Sequence, residues 1–269
     1  MMSCATTARA DMRLDEAPWI APPSQHPALP SGEVHLWALH LDLSPGQRVE
    51  LAATLSPDEL ARAARFHFAG DRQRWIAARG RLRHILGRYL QRDPASLAFA
   101  YACACGEPRC TQPHRKPVLA GDTWLNFNLA HARDLALVAV ARDRRVGVDL
   151  EYRRPADELL PLADTICAPA ELAALRGLPP AARATALLAL WTCKEAYLKA
   201  RGIGLLLAPQ EVELALTPAG PPRLVRVSGD ATEAARWSVA DVPYGPGQIA
   251  ALAVEGQPAL IRYWSLSLG

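Results

Sequence analysis

The sequence lacks the features of a protein that crosses or enters a membrane. Its 269 residues contain no apolar run of the roughly eighteen residues that a membrane-spanning helix requires. The N-terminal stretch, MMSCATTARADMRLDEAP, has no apolar segment of the kind found in secretory signals, so we expect none. Of the six cysteines, three crowd into positions 103–110, which favours free thiols over a disulfide framework. We therefore expect a reduced, cytoplasmic protein.

The sequence is also short of net charge, although its charge is unevenly distributed. The net charge of +3 is too small to indicate nucleic-acid binding by itself. From Arg62 to Arg92, however, there are nine arginines and a single acid, Asp71. A basic region of this kind suits phosphate groups or an acidic protein surface. Nucleic-acid binding is disfavoured, because these arginines are interleaved with apolar core positions and lack exposed aromatic residues for stacking on bases.

The patterning of the chain predicts two lobes of similar construction. Half of the residues are apolar, so the chain can form one large domain or two smaller ones. Residues 1–32 are rich in alanine and proline without periodicity and are predicted to form a mobile tail. The N-terminal lobe is placed at 33–142 and the C-terminal lobe at 143–269. Each has short strands and one long helix, at 71–90 and at 180–201, which predicts an α+β fold.

Two acidic residues stand on one predicted strand near the middle of the chain. In the stretch VGVDLE at 146–151, Asp149 and Glu151 alternate with Val148 and Leu150. Successive strand side chains point to opposite faces, so both carboxylates share a face while the aliphatic residues enter the core. A surface strand with two solvated acids would show the same alternation, and it stays an alternative at this point.

A third acid lies on the long helix of the C-terminal lobe. Trp191, Glu195 and Lys199 are four residues apart, so they lie along one side of that helix. Glu195, together with Asp149 and Glu151, makes a set of three carboxylates. A ligand set that offers only oxygen atoms favours Mg²⁺ or Mn²⁺ over zinc. Because Mg²⁺ commonly takes substrate phosphate oxygens, three acids in an arginine-rich chain indicate a diphosphate substrate. Several kinds of Mg²⁺-dependent enzyme could use such a set.

A cysteine-rich loop offers a different metal chemistry. Cys103, Cys105, Cys110 and His114 supply three thiols and an imidazole within a short loop, and such an inventory could complete a tetrahedral zinc site. The Cys-x-Cys start is cramped for one zinc ion, and a second pair of spaced ligands is missing. Free thiols are therefore the preferred interpretation of this loop.

Several stretches, taken together, resemble the motifs of 4′-phosphopantetheinyl transferases. The residues GVDLE at 147–151 resemble the family's GVDIE motif, and WTCKEAYLKA at 191–200 resembles its WxxKEAxxKA motif. Three weaker matches precede them in the same order as in the family: an F…DR…R…LR helix at 66–83, the Lys116-Pro117 pair of a GKP motif, and NFNLAH at 126–131 for FNxSH. The resemblance covers about residues 56–205, and the length is similar to that of the two-lobed monomeric (Sfp-type) branch.

The resemblance implies a reaction and a fold that carries it. Enzymes of this family move the phosphopantetheine arm of coenzyme A to a serine of an apo acyl or peptidyl carrier protein. The serine oxygen attacks the β-phosphorus, and 3′,5′-ADP leaves. The implied fold has two pseudo-symmetric α+β lobes, each a small, mostly antiparallel sheet with a long helix. Coenzyme A would lie in the cleft between the lobes, and the carrier would dock transiently at its mouth.

The resemblance also implies roles for individual residues. Asp149, Glu151 and Glu195 would hold Mg²⁺, with Mn²⁺ as an alternative ion. Catalysis would rest on Glu195 as the base or base-positioning group, together with Asp149 and Lys199. Contacts to coenzyme A would come from a further set, namely Arg62, Arg74, Lys116, Ala130 through its backbone N–H, His131 and Lys199.

Three positions depart from the family's pattern. Ala130 stands where serine is usual, so one hydroxyl contact to phosphate is lost. Glu59 stands where some members carry a basic residue, and Arg115 replaces the usual glycine before Lys116. These departures bear on the affinity for coenzyme A and leave the three carboxylates untouched.

Overall fold

The computed structural model describes residues 19–102, 116–217 and 222–266. The elements up to residue 142 are β1 (Glu33–His40), α1 (Pro45–Ala52), α2 (Pro57–Ala64), α3 (Ala69–Leu90), β2 (Phe99–Ala102), β3 (Lys116–Leu119), β4 (Leu125–Ala132) and β5 (Leu135–Arg142). Those that follow are β6 (Val146–Tyr152), α4 (Ala156–Leu159), α5 (Ala163–Ile166), α6 (Pro169–Gly177), α7 (Pro180–Arg201), β7 (Val212–Ala215), β8 (Arg223–Val227), α8 (Ala231–Ala235), β9 (Trp237–Val242), β10 (Gln248–Glu255) and β11 (Leu260–Leu266). The possible zinc ligands Cys103, Cys105, Cys110 and His114 lie outside the described residues, as does Arg115.

The first lobe is a four-stranded sheet with α3 packed on one face. Its strand order is β11-β1-β5-β4, and β5 pairs antiparallel with both of its neighbours. The sequence of β5, LALVAVAR, is an almost continuous apolar run because both of its faces are buried. Ala136, Val138 and Val140 pack in the core that contains α3, whereas Leu135 and Leu137 enter a different core on the opposite face.

The second lobe repeats this construction with a three-stranded antiparallel sheet and α7. The strand order is β6-β10-β9, and α7 contacts both β6 and β10. Buried leucines of the helix, Leu187 and Leu190 among them, form a core with Ala251 and Ala253 of β10. The helix ends at Gly202, whose φ of 71° places it in the left-handed region that a helix terminus commonly uses.

A third apolar core joins the two lobes. The faces of the two sheets that are not covered by helices meet, and Leu36 and Leu137 of the first lobe pack with Val148 and Leu252 of the second. A buried polar contact crosses the same junction, because the backbone N–H of Val148 donates to Oδ1 of Asn128 at 2.9 Å. The layers therefore follow the order α3, first sheet, second sheet, α7. This arrangement confirms the predicted α+β fold with two lobes, each a small sheet packed with a long helix.

Both ends of the described chain depart from the predicted lobe limits. Strand β11, which the prediction assigned to the C-terminal lobe at 143–269, forms the edge of the first lobe's sheet and pairs with β1 in parallel. Ile20, assigned to the mobile tail, exchanges backbone hydrogen bonds with Tyr263 and Ser265 of β11, at 3.1 and 2.9 Å. Pairing between segments so distant in sequence has no local signal, which is why the pattern did not predict it.

Local signals account well for some elements and poorly for others. Helix α2 begins at Ser56, whose side chain accepts from the N–H of Glu59 while the Glu59 side chain accepts from the N–H of Ser56. No pattern described above predicts helix α1 or strand β3, and β3 is only four residues long. Within the described part of the chain, no helix combines the length and apolar character needed to cross a bilayer.

Candidate active site

A pocket of about 480 Å³ opens where β4 of the first lobe meets β6 and α7 of the second. Its lining includes His131 from β4, Asp149 and Glu151 from β6, and Glu195 and Lys199 from α7. The fold therefore gathers on one surface three acids, a lysine and a histidine that the sequence had singled out separately.

The acids of β6 reach the pocket because of strand alternation. Val148 and Leu150 are buried in the core between the two sheets. Asp149 and Glu151 leave the strand on the other face and line the pocket beside α7. The predicted division of this strand into an apolar and an acidic face is thus present, and the acids do not form a fully solvated surface strand, because Asp149 is buried.

Helix α7 supplies the opposite side of the acidic surface. Trp191, Glu195 and Lys199 all line the pocket, as their four-residue spacing on one side of a helix requires. The helix can approach β6 closely because Gly147 has no side chain: a Cβ atom there would lie 2.2 Å from the carbonyl oxygen of Ala196. The close approach puts Nζ of Lys199 2.5 Å from Oδ1 of Asp149.

Asp149 has one satisfied and one unsatisfied carboxylate oxygen. The residue is 5 % exposed, and its Oδ1 is paired with Lys199. Its Oδ2 is buried and has no hydrogen-bond partner among the described residues. A buried carboxylate oxygen without a partner costs stability, so a water molecule or a bound ion is needed to complete it.

The pKa values of the two glutamates lie above those of exposed glutamates. Burial raises the pKa of Glu195 above its usual range; the ammonium of Lys199 opposes this, and the charges of Asp149 and Glu151 add to it. Burial, and then the charge of Asp149, likewise raise the pKa of Glu151. Three crowded carboxylates beside one ammonium leave an excess of negative charge, which a bound cation would relieve.

The donor set fits a hard divalent cation in its chemistry, although it is not a finished metal cage. Carboxylate oxygens are the ligands that Mg²⁺ prefers, and Oδ2 of Asp149 has no hydrogen-bond partner in the described part of the chain. Among the residues that the structure describes, no three His, Cys, Asp or Glu side chains are gathered closely enough to hold an ion. An open arrangement suits Mg²⁺, which usually binds one or two carboxylates and completes its octahedron with water and phosphate oxygens. The joint assignment of Asp149, Glu151 and Glu195 as ligands stays a prediction.

The first lobe contributes His131 to the pocket but not its neighbour. His131 is exposed at the pocket; desolvation lowers its pKa, and the nearby ammonium of Lys199 lowers it further. The methyl group of Ala130 is buried in the core between the sheets. A role for Ala130 in binding would therefore depend on its backbone.

Besides Ala130, three predicted contacts to coenzyme A are not among the described residues that line the pocket. Arg62 is exposed near the end of α2. Arg74 donates from Nε to Oδ1 of Asp42 at 2.9 Å. Lys116 is held at the junction of the lobes, where Nζ donates to the carbonyl oxygens of Val146 at 2.8 Å and Ala200 at 3.4 Å. Burial lowers the pKa of this lysine to about 8.

The unusual Glu59 has a structural explanation. It is 5 % exposed and lies between the guanidinium groups of Arg79 and Arg83, with 2.7 Å from its Oε2 to Nη2 of Arg83. The same carboxylate closes the cap of α2. An acid at this position therefore forms ion pairs with two buried arginines of α3, which a basic residue could not do.

Two residues of interest were missed at the level of sequence. Arg133 follows β4, lines the pocket, and has a left-handed φ of 51°, with its guanidinium 4.5 Å from the ring centre of Tyr152. Glu171 is buried and ion-paired with Lys194, the residue before Glu195. The turn between two apolar strands could have drawn attention to Arg133. The Pro169-Ala-Glu171 start of α6 predicts a helix terminus but not a buried charge.

Comparison with known proteins places these observations in a family. A family model described as "ACPS: 4′-phosphopantetheinyl transferase superfamily" matches residues 145–254, which include β6 and α7. The 4′-phosphopantetheinyl transferase HetI of Nostoc sp. is 41 % identical over 249 residues, which are 91 % of this chain and 97 % of that protein. A Synechocystis sp. protein that carries the same transferase designation is 34 % identical over 177 residues, 66 % of this chain and 67 % of its own.

A solved structure gives a more distant likeness. The holo-(acyl-carrier-protein) synthase of Bacillus anthracis, crystallised with coenzyme A (3′,5′-ADP), covers 42 % of this chain and 96 % of its own at 18 % identity and a TM-score of 0.35. That score is too low to support any argument about this chain. The nearly full-length match to HetI is sufficient by itself. The chain belongs to the 4′-phosphopantetheinyl transferase superfamily.

Proposed function

We propose that this protein transfers the 4′-phosphopantetheine arm of coenzyme A to a serine of an apo acyl or peptidyl carrier protein. The serine oxygen forms a bond to the β-phosphorus, the bond from that phosphorus to the bridging oxygen breaks, and 3′,5′-ADP leaves with the electron pair. The observation that carries the proposal is the pocket between the lobes where Asp149, Glu151, Glu195 and Lys199 converge, in a chain of this superfamily. The mass of a carrier protein before and after reaction tests it.

Glu195 is the group proposed to take the serine proton, directly or through a water molecule. Its raised pKa makes the carboxylate a better proton acceptor than an exposed glutamate. Lys199, one turn further along α7, presents its ammonium at the same surface and can share it between Asp149 and a phosphate oxygen. His131 and Arg133 offer further donors to phosphate from the first lobe.

A divalent cation, Mg²⁺ or Mn²⁺, belongs to the proposal. Asp149 is its best-supported ligand because Oδ2 is buried and accepts no hydrogen bond from any described residue, and Glu195 and Glu151 would complete the protein's share of the ligands. When bound, the cation neutralises charge on the diphosphate and on the leaving group. The acids of the pocket hold and orient it, and coenzyme A would share it through its phosphate oxygens.

Magnesium is expected to stabilise the folded protein in a pH-dependent way. Both glutamates have pKa values raised above the ordinary 4.5, so their stabilising contribution is present below that pH and is lost as pH rises through the raised values. Bound Mg²⁺ reverses this loss. Saturating Mg²⁺ should therefore raise the Tm by several degrees at about pH 7 and have a smaller effect at about pH 4, where the two glutamates, whose pKa values lie above 4.5, are mostly protonated. Differential scanning fluorimetry checks both conditions.

A matched pair of variants distinguishes this site from general cation binding. Asp149→Asn should abolish the Mg²⁺-dependent rise in Tm. Asp241→Asn should retain the rise in Tm. Asp241 on β9 and Asp149 on β6 both pair with Ala251 of β10, from opposite sides, but Asp241 does not line the pocket. An equal rise in both variants would show that the ion binds elsewhere.

Lys116 is expected to act on coenzyme A binding rather than on the chemical step. Lys116→Ala should raise the KM for coenzyme A about tenfold with little change in kcat, because a phosphate contact of this kind is worth on the order of 1.4 kcal/mol. Lys116→Met keeps the aliphatic stem that lies beside Gly202 and removes the ammonium alone. If both variants had an unchanged KM and a lower Tm, the role of Lys116 would be structural only: it would connect β6 to the end of α7 and not bind coenzyme A.

The proposal also includes the oligomeric state of the protein, its location and its partner. We infer a monomer, because one chain supplies every side chain named above in the pocket. We infer a cytoplasmic location, which fits the free thiols of Cys167 and Cys193, both buried. The carrier protein is a transient partner that presents its serine at the mouth of the pocket, near the exposed guanidinium groups of Arg133 and Arg154. Size-exclusion chromatography with light scattering checks the oligomeric state.

A further inference from the structure

A charged pair is buried inside the second lobe, directly beside the proposed base in sequence. Lys194 precedes Glu195 on α7 and is completely buried. Its ammonium donates to Oε2 of Glu171 at 2.6 Å, to the carbonyl oxygen of Ile166 at 2.8 Å and to that of Pro209 at 2.9 Å. These partners come from α6, from the end of α5 and from the turn that precedes β7.

Glu171 is as fully engaged as its partner. It is 1 % exposed, and both of its oxygens accept from backbone N–H groups in addition to the lysine. Oε2 accepts from Ala168 at 2.6 Å, and Oε1 accepts from Leu214 of β7 at 2.7 Å. The pair therefore connects α7, α6 and the β7–β8 hairpin through a single polar centre.

A buried pair of this kind requires an explanation other than stability. Removing two charges from water carries a large desolvation cost, and well-packed apolar residues often stabilise a core at least as well. What a buried polar pair does better is fix one relative arrangement of the segments that it joins, because any shift leaves charges and carbonyl groups unsatisfied.

The geometry of α7 links this pair to the pocket. With 3.6 residues per turn, neighbouring side chains point about 100° apart, so an inward Lys194 turns Glu195 towards the pocket. Lys194 does not line the pocket, whereas Glu195 does. We propose that the Lys194–Glu171 pair is a positioning device that fixes the rotation and the axial position of α7 and thereby orients Glu195. This role rests on the transfer reaction proposed above.

The test compares stability and turnover in two variants. Lys194→Met leaves the charge of Glu171 buried and unpaired, so its Tm should fall strongly. In Lys194→Met/Glu171→Gln both charges are gone, and the Gln amide can still accept from the N–H of Leu214, so the Tm should recover in part. The positioning role predicts that kcat stays at least about tenfold below the parent in the double variant, because a small displacement of a catalytic group has large effects. The KM for coenzyme A should change by less than about twofold.

A destabilised control variant and a fallback variant separate a loss of positioning from a general loss of stability. Leu187→Ala removes a buried side chain of the same helix and lowers the Tm without touching the pair, and its kcat, measured well below its Tm, should remain close to that of the parent. If the double variant does not fold, Lys194→Arg takes its place: it keeps a positive charge opposite Glu171 but changes the length and geometry of the pair, so kcat should still fall. Recovery of kcat in step with Tm, or an equal loss of kcat in Leu187→Ala, overturns the positioning role.

The outcomes separate this inference from the proposed function. Absence of transfer by the parent protein would contradict the proposed function itself. An active parent with fully active, folded variants would contradict only the positioning role. The Mg²⁺-dependent rise in Tm, recorded on the same samples, should be smaller in the double variant than in Leu187→Ala, and this comparison tests the orientation of Glu195 without relying on transfer.

Discussion

Replacement of Glu195 by glutamine should lower the rate of transfer by roughly 10²–10⁴-fold, the range that a general base contributes. Glutamine has nearly the same shape but cannot accept the serine proton, and it removes one of the three carboxylates of the pocket. The Tm should stay unchanged or rise slightly at about pH 7, because burial and neighbouring charges raise the pKa of Glu195 and its ionised form therefore opposes folding. Steady-state kinetics with an apo carrier protein, together with a thermal unfolding curve, checks both parts.

A carboxylate outside the pocket provides the control for this variant. Glu158 is exposed on α4 and is not among the pocket's lining residues. Glu158→Gln removes the same charge and should retain full activity. If Glu195→Gln retained activity as well, the pocket would no longer be the place where the serine proton is taken, and the metal assignment would lose its central residue.

Gly147→Ala should abolish activity by separating β6 from α7. The added methyl carbon would lie 2.2 Å from the carbonyl oxygen of Ala196 and 2.4 Å from the backbone nitrogen of Ala200. Both contacts are with the backbone of a long helix, which cannot turn aside as a flexible side chain can. We expect a loss of at least about 3 kcal/mol in the free energy of unfolding, at the upper end of what overpacking usually costs. Denaturant unfolding monitored by circular dichroism measures this loss.

A second glycine shows whether the effect is specific to this contact. Gly46 lies near the start of α1, and a Cβ there would meet no atom within 4 Å. Gly46→Ala should leave stability unchanged or raise it by up to about 1 kcal/mol, because alanine is the better helix former. A tolerated Gly147→Ala, with activity intact, would mean that the close approach of β6 to α7 is not what brings Asp149 to Lys199.

Local patterns in the sequence predicted the elements that carry the site. The limits of α7 and the alternation of β6 follow from periodicity and from a glycine at the helix end, and both elements appear where expected. These are long, strongly patterned segments whose own composition determines their structure. The placement of Asp149, Glu151, Glu195 and Lys199 around one pocket follows from these elements, once the fold brings them together.

Features that depend on distant partners could not be predicted in this way. The parallel pairing of β11 with β1 joins the two ends of the chain, and neither strand encodes its partner. The family resemblance implies a coenzyme A contact for Lys116, and nothing in its local sequence indicates that its ammonium contacts two backbone carbonyl groups at the lobe junction. Glu171 resembles an ordinary helix-start acid, and only the fold shows that it is buried against Lys194. In each case tertiary contacts decided the environment of the residue.

The most direct test of the account is the intact mass of an apo carrier protein after incubation with this protein, coenzyme A and Mg²⁺. A panel of fatty-acid, polyketide and peptide-synthetase carriers should be used, with EDTA and a carrier that lacks the acceptor serine as controls. We predict that at least one carrier gains the mass of a single phosphopantetheine group, and that EDTA or loss of the serine prevents the gain. No gain on any carrier, together with no binding of coenzyme A by calorimetry, would contradict the proposed function.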